Sequence, residues 1–193
     1  MDSALAEFSR QGYGASSINA ICAAQDISKG IVYHYFETKD ALFLACVAEC
    51  FQRLTEHIRA NMIRPGGAVC CLEGYFAIRT SFFRSHPVYQ RIFCEAAVSP
   101  PSHLRAEIQA CRQEFDELNI QILERLLAPL SLRSGISREE VMETFRQFQD
   151  FINIRYQMAD AGGQTFQARE EDCRKTLDIL LYGVIEKEKT GHD

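Results

Sequence analysis

The chain has 193 residues with a hydrophobic share of 47%, which is enough to form a buried core in one small and one larger domain. Its 5 prolines and 11 glycines are too few for an all-β or disordered chain. The formal net charge is −5, so the chain has no broad basic surface and any contact with a polyanion must be local. The sequence contains neither the ~20-residue apolar stretch of a membrane span nor a signal-peptide core, which predicts a cytoplasmic protein without a membrane partner.

The first elements along the chain are two short predicted helices. The apolar face of the first helix consists of Leu5 and Phe8. The second helix begins after a serine that can cap it through its hydroxyl group, Ser16 or Ser17. Its apolar residues recur at helical spacing, at Ile18, Ile21 and Cys22. A turn at residues 26–28 then separates it from the next helix.

A third helix is predicted over residues 28–36, with Ser28 as its N-cap. We expect Ile31, Val32 and Tyr35 to face inward. The residues expected to face outward are Lys29, Gly30, Tyr33 and His34. Lysine and protonated histidine can pair with phosphates or base edges, a tyrosine hydroxyl can bond a phosphate oxygen, and a glycine lets the backbone approach a duplex. Thr38 then caps a fourth helix with Lys39 in its first turn, where a phosphate can bind.

The run from Gly12 to Leu42 resembles the N-terminal signature of the TetR family of transcriptional regulators. Its core reads Ser-Lys-Gly-x-x-Tyr-x-Tyr-Phe-x-x-Lys-x-x-Leu over residues 28–42. The resemblance implies that the helix over residues 28–36 is similar to a recognition helix, which enters the major groove of double-stranded operator DNA. It also implies a homodimer that places two such helices about 34–36 Å apart. The DNA-binding residues that it implies are Ser17, Ser28, Lys29, Gly30, Tyr33, His34 and Lys39.

Periodicity predicts six further helices after the third, over residues 38–61, 68–85, 87–98, 104–127, 137–161 and 168–187. The breaks between them contain glycine and proline, and residues 137–140 form a Ser-Arg-Glu-Glu capping box. The predicted fold class is therefore all-α. It has an N-terminal three-helix helix-turn-helix domain, residues 1–45, and a larger C-terminal helical domain for effector binding and dimerisation, residues 46–193.

The last two predicted helices each carry two apolar faces, so each is expected to pack on two sides. In a monomer one face of each helix would be exposed to water. A four-helix interface with two helices from each subunit avoids this exposure, and TetR-like proteins pair in this way. The predicted interface residues are Phe145, Phe148, Ile152, Tyr156, Leu177, Leu181 and Val184. Which of the two faces forms the interface stays open, as does burial of both faces within one subunit.

The middle helices are rich in aromatic residues, with a few charged residues among them. In the family that the chain resembles, a cavity between such helices binds a small-molecule effector. An aromatic cavity with one or two polar groups suits a planar or amphipathic ligand. The pocket candidates are Tyr75, Arg79, Phe82, Phe83, Tyr89, Phe93, Phe115, Phe151 and Arg155. The alternative is a packed aromatic core without a cavity.

These observations predict a dimeric ligand-responsive DNA-binding regulator, a repressor that a small-molecule effector releases from its operator. The alternative is a thiol- or metal-responsive regulator on the same scaffold, which would use Cys46, Cys50, Cys70 or Cys71. The usual reading of these cysteines is as small core residues. The sequence has no nucleophile-elbow, zinc-protease, P-loop or dinucleotide motif, so we expect neither an enzyme nor a cofactor nor a metal site.

Overall fold

The computed structural model describes residues 1–64, 67–68, 72–158 and 166–184, and the side chains of residues 1–62, 72–155 and 171–182. The helices are α1 Asp2–Ala15, α2 Ile18–Ala23, α3 Lys29–Phe36, α4 Lys39–Met62, α5 Leu72–Ser85, α6 Pro87–Val98, α7 Arg105–Leu127, α8 Arg138–Met158 and α9 Phe166–Val184. A two-residue antiparallel ladder joins β1 Ile63–Arg64 to β2 Gly67–Ala68 at the predicted break after α4. The predicted all-α class is confirmed, with a small N-terminal helix-turn-helix unit and a larger helical body. In the described part of the chain, no helix is long and apolar enough to cross a membrane.

Helix α4 is the central element of the fold. Buried apolar side chains recur along it at spacings of three and four, from Leu42 through Val47 and Leu54 to Ile58. It packs against α1 and α3 at its beginning and against α5, α6 and α7 further along. The predicted domain boundary after residue 45 falls within this continuous helix, and the division of the chain at that point stays a prediction.

Two of the three hydroxyl caps predicted for helices α2, α3 and α4 are present. The Ser28 hydroxyl accepts the Ile31 N–H at 3.4 Å, and the Thr38 hydroxyl accepts the Ala41 N–H at 3.0 Å. The predicted hydroxyl cap at Ser16 or Ser17 is wrong. The Ser16 hydroxyl donates back to the Tyr13 carbonyl at 2.8 Å, and Ser17 makes no side-chain cap bond. Further along the chain, the capping box is confirmed by reciprocal bonds between Ser137 and Glu140, at 2.7 and 3.2 Å.

The N-terminal unit is fastened to the body where α1 kinks at Gly12. This glycine has φ +73° and ψ 170°, a conformation that is essentially restricted to glycine. The kink directs the Tyr13 N–H toward the Glu95 carboxylate of α6, with the two oxygens 3.0 and 3.1 Å away. The Tyr13 hydroxyl donates to Asp40 and lies 3.2 Å from Nε2 of His103. Burial raises the pKa of Glu95, and the Tyr13 N–H opposes that shift.

We expect Gly12→Ala to lower the free energy of unfolding by about 1–3 kcal/mol, because a Cβ is strained in this backbone conformation. Chemical denaturation measures the change. The matched control is Gly14→Ala, since a Cβ on Gly14 meets no atom within 4 Å and its φ lies outside the left-handed range. We expect the control to keep or slightly raise stability. An equal loss in both variants would contradict backbone strain at Gly12.

Helices α8 and α9 bury one of their two apolar faces inside the subunit, and the dimer interface stays a prediction. The predicted interface residues Phe145, Phe148, Leu177 and Leu181 are buried inside the subunit, and Ile152 is half-buried against the same core. The side chains of Tyr156 and Val184 lie outside the described residues. The exposed apolar side chains on these helices belong to the other face, namely Phe151, Ile154, Ile179 at 74% and Tyr182 at 56%. The inner face is buried because α8 packs against α6 and α9 packs against α5 within the subunit.

Candidate nucleic-acid interface and internal cavities

Helix α3 presents most of its surface to solvent. Lys29, Gly30, Tyr33 and His34 are exposed as predicted, and Val32 is the buried residue that holds the helix on the domain. The prediction of Ile31 and Tyr35 as inward-facing is wrong, because Ile31 is 49% exposed and Tyr35 is 74% exposed. A short helix that buries one side chain leaves a wide surface that can enter a groove.

The two misassigned residues add apolar and aromatic surface to the exposed face of α3. An exposed Ile31 side chain matches the apolar contact that proteins make with a thymine methyl group. The ring of Tyr35 lies edge-on to that of His34, with centroids 5.2 Å apart, so the two rings restrain each other.

Lys39 is engaged within the N-terminal unit. Its ammonium group donates to the Ser16 carbonyl at 2.9 Å and to the Gly14 carbonyl at 3.4 Å, and it lies 4.7 Å from the centroid of the Tyr13 ring. These contacts tie the start of α4 to the α1–α2 corner. A phosphate contact by Lys39 stays a prediction, and it would have to share the ammonium group with these carbonyls.

The N-terminus of α2 already holds a carboxylate. Glu7 is buried, accepts the Ser17 N–H at 3.1 Å, and pairs with Arg10 at 2.6 Å. The hydrogen bond from Arg10 lowers the pKa of Glu7. Glu7 was not predicted as part of the site; its signal in the sequence is a single carboxylate between the apolar residues Leu5 and Phe8. The role of Ser17 as a phosphate contact stays a prediction.

The charge around α3 is balanced. Residues 16–39 contain Lys29 and Lys39 against Asp26 and Glu37, so they have no net charge when His34 is neutral. Each neutralised phosphate steepens the dependence of affinity on salt, so few cations imply a shallow dependence per subunit. The two lysines therefore offer few charged contacts to a polyanion on this segment.

Two adjoining cavities lie among α5, α6, α7 and α8, and α9 contributes one residue to the smaller of them. The smaller has a volume of about 30 Å³ and is lined by Phe76, Arg79, Thr80, Phe83, Gln90, Phe93, Cys94, Gln149, Ile152, Asn153 and Cys173. The larger has a volume of about 270 Å³ and is lined by Arg79, Phe93, Arg112, Phe115, Asp116, Asn119, Ile120, Arg146, Gln149, Asp150 and Asn153. The four residues shared between the two linings show that the cavities are neighbours.

Four of the nine predicted pocket residues line these two cavities, and an effector role for any of the nine stays a prediction. Arg79, Phe83, Phe93 and Phe115 line these cavities. Tyr75, Phe82 and Tyr89 are buried in the core and line neither of them. Phe151 and Arg155 line neither cavity; both are exposed on α8, where Arg155 lies 3.8 Å from Asp172 of α9.

The polar side chains that line the cavities were not predicted from the sequence. Asn119 and Gln149 exchange two amide hydrogen bonds, at 3.0 and 3.1 Å, and Asn119 also accepts the Tyr75 hydroxyl. Asn153 is buried one turn beyond Gln149. Polar residues at positions 149 and 153, inside the apolar stripe of α8, are the signal that could have indicated them.

The structure describes the side chains of two of the four cysteines that a thiol-responsive regulator would use. Cys46 and Cys50 are buried, and burial raises the pKa of Cys46 to about 12 and that of Cys50 well above its usual value. Protonated, buried thiols react slowly with oxidants and bind metals poorly. The side chains of Cys70 and Cys71 lie outside the described residues. Within the described part of the chain, no three His, Cys, Asp or Glu side chains are placed to hold a metal ion.

Comparison with known proteins agrees with the signature and the fold. The family model "Bacterial regulatory proteins, tetR family" matches residues 1–46. The nucleoid occlusion factor SlmA of Haemophilus ducreyi is 26% identical over 128 residues, which cover 66% of this chain and 61% of SlmA. The chain therefore matches less than two thirds of that relative's length.

Solved structures share the fold along nearly the whole chain at low sequence identity. The ketosteroid transcriptional regulator KstR2 of Mycobacterium tuberculosis superposes with a TM-score of 0.68 at 16% identity, and the match covers 96% of this chain and 93% of KstR2. The transcriptional regulator FadR of Bacillus subtilis, solved with stearoyl-CoA, gives a TM-score of 0.72 at 14% identity over 94% of this chain and 96% of FadR. The signature, the helix-turn-helix unit and the family model agree that residues 1–46 are those of the tetR family of bacterial regulatory proteins, and the chain as a whole shares the fold of these solved regulators.

Proposed function

We propose that the protein is a dimeric, ligand-responsive repressor that works in the cytoplasm, binds operator DNA through α3 and is released by a small-molecule effector. The observation that carries the proposal is the exposed face of α3. Lys29, Gly30, Tyr33 and His34 lie on it together, and Val32 fixes the helix to the domain. Phosphate contacts by Tyr33 and His34 would set the register, and Lys29 near the start of the helix would reach base edges.

Dimerisation is supported by the apolar surface on α8 and α9. Phe151 and Ile154 are exposed on one helix and Ile179 and Tyr182 on the other, and the two helices contact each other. A second copy of this pair of helices would cover the surface and form a four-helix interface. It would also double the few contacts that one α3 can make.

Release is proposed to follow a shift between two conformers of the dimer. One has a spacing of recognition helices that fits the operator, and the other has a spacing that does not. An effector shifts this equilibrium only through its different affinities for the two conformers, and a complete switch needs about 5.5 kcal/mol. The cavities among α5 to α8 support an effector site, and the FadR structure shows that this fold can hold a ligand.

The proposal is tested by fluorescence anisotropy with the DNA upstream of the protein's own gene. We expect this duplex to bind at least tenfold more tightly than an unrelated duplex of equal length at low salt, since specific sites exceed non-specific ones by roughly 10³ or more. Equal affinity for the two duplexes would rule out sequence-specific regulation.

The Lys29→Ala variant is expected to lose about 1–3 kcal/mol of discrimination between the operator and an unrelated duplex, because it removes a contact to a base edge. Tyr33→Ala is the paired control, and it should weaken binding to both duplexes equally because it removes a phosphate contact. Anisotropy titrations with both duplexes measure the two effects. If Lys29→Ala weakens both duplexes to the same extent, Lys29 does not read bases.

A further inference from the structure

Two buried hydrogen-bond donors in the smaller cavity lack a partner among the described residues. Arg79 is only 7% exposed, and its Nη1 atom has no hydrogen-bond acceptor there. The Nε2 atom of Gln90 is also buried and unpartnered, and both residues line the same cavity of about 30 Å³. Buried polar groups almost always have partners, and a buried charge without one is costly. Both groups are donors, so the missing partner is an acceptor.

The charge of Arg79 is not balanced by a carboxylate at short range. Within the described ranges it forms no ion pair closer than 4 Å, whereas Arg112 pairs with Asp116 at 2.8 Å and Arg146 pairs with Glu143 at 3.3 Å. None of the described residues that line the smaller cavity is acidic. Asp150 lines the larger cavity and lies within electrostatic range of Arg79: burial raises the pKa of Asp150, and the charges of Arg112 and Arg79 oppose that shift. Its side chain is exposed and forms no ion pair with Arg79 within 4 Å.

Aromatic rings surround the guanidinium group. Its central carbon lies 5.4 Å from the centroid of Phe115, 5.8 Å from that of Tyr75 and 5.9 Å from that of Phe93. Ring faces attract the cation, which explains how Arg79 can be held here. The Tyr75 hydroxyl is within hydrogen-bond reach of the guanidinium group, but Nη1 of Arg79 still has no acceptor among the described residues. A carboxylate binds best in the guanidinium plane. The rings therefore hold Arg79 in place and leave its Nη1 donor unsatisfied.

The dimensions of the cavities limit the size of the ligand. The larger cavity adjoins Arg79 and has a volume of about 270 Å³, which is below the range of roughly 300–1,000 Å³ that is usual for drug-sized ligands. Its lining combines the side-chain amides of Asn119, Gln149 and Asn153, the rings of Phe93 and Phe115, and the charged side chains of Arg112, Asp116, Arg146 and Asp150. These walls suit a short molecule that has both polar and apolar parts.

We propose that the two cavities bind a small organic acid whose carboxylate lies between Nη1 of Arg79 and Nε2 of Gln90 and whose body occupies the larger cavity. This inference deepens the proposed function, because it names the chemical class of the effector and rests on the effector site proposed above. Its test requires no DNA, so its failure leaves the DNA-reading role intact, and failure of operator binding leaves the acid site intact.

The first experiment introduces a carboxylate side chain into the cavity by mutation and measures thermal stability. Gln90→Glu places a carboxylate beside Arg79, and we expect it to raise Tm by about 2–4 °C, since it pairs a buried charge. The control is Gln121→Glu, the same change at an exposed position of α7, which should leave Tm unchanged. A Tm for Gln90→Glu below that of the wild type overturns the proposal, because Arg79 and Gln90 then do not share an anion site.

The second experiment measures binding directly by isothermal titration calorimetry. The probes are benzoate, phenylacetate, hexanoate and 3-hydroxybutyrate at millimolar concentration, each compared with its primary amide. We expect at least one acid to bind and its amide to bind at least tenfold more weakly, because the amide lacks the charge that Arg79 recognises. In Arg79→Lys, which keeps the charge and loses the planar fork, we expect a similar tenfold loss. Gln90→Glu should abolish binding.

The control for these titrations is Arg84→Gln, which changes an exposed arginine on the same helix and should bind the acid as the wild type does. Circular dichroism of each variant verifies that it is folded. The proposal is overturned if none of the four acids binds, if acid and amide bind equally, or if Arg79→Lys retains full affinity.

Discussion

The Ile179→Asp variant is expected to be a monomer and to bind operator DNA at least about 100-fold more weakly than the wild-type protein. Ile179 is the most exposed residue of the apolar surface on α8 and α9, with Tyr182 one turn away. If a second copy covers this surface, an aspartate there becomes a buried charge without a partner, and such charges are strongly destabilising. The loss of the dimer separates the two recognition helices and removes the gain from binding two half-sites together.

Two measurements check this prediction. Light scattering after size-exclusion chromatography gives the mass of the particle, and anisotropy gives the affinity for the operator. The control is Gln121→Asp, which places the same charge on an exposed position of α7 and should change neither quantity. If Ile179→Asp keeps both the wild-type mass and the wild-type affinity, the interface does not lie on this surface.

The Phe43→Ala variant is expected to lose about 3–5 kcal/mol of unfolding free energy, which is the usual cost of removing a phenylalanine from a core. Phe43 is fully buried at the beginning of α4, and its ring centroid lies 5.1 Å from that of Phe8 and 5.0 Å from that of Tyr13. It therefore holds α1, and with it the contact to α6, against the helix that follows α3. Urea denaturation followed by circular dichroism measures the loss.

The control for this prediction is Tyr35→Ala, the removal of an exposed aromatic ring from α3. We expect its stability to remain within about 0.5 kcal/mol of the wild type, as for most surface substitutions. A loss below 1 kcal/mol for Phe43→Ala, or equal losses in the two variants, would show that Phe43 is not the centre of this core.

Local chemistry made most helix ends predictable. Pro87 starts α6, the bonds between Ser137 and Glu140 start α8, and Thr38 starts α4, and each of these signals acts within one turn of chain. The exposure of Ile31 and Tyr35 was not predictable in this way. An apolar residue on an eight-residue helix is buried only if a neighbouring element reaches it, and the position of α4 is a non-local fact.

The two apolar faces of α8 and α9 show the same limit. Periodicity identified both faces, but nothing in the pattern ranks Phe145 and Leu177 against Phe151 and Ile179. The ranking depends on where α5 and α6 lie, and contacts across the body decide it. The same limit applies to the cavity lining. Arg79 was predicted as a pocket residue, whereas Gln90 was not, because a single polar residue on an amphipathic helix carries no signal of a cavity.

Helix α6 contributes both to the smaller cavity and to the fastening of the N-terminal unit. Gln90 lines the cavity, and Glu95 holds the Tyr13 N–H five residues further along, about 7.5 Å along the helix axis. Over so short a length a helix moves as a rigid rod, so any shift of α6 at the cavity also shifts the kink in α1. Coupling of this kind is reciprocal. If an acid in the cavity weakens operator binding by some factor, the operator weakens binding of that acid by the same factor.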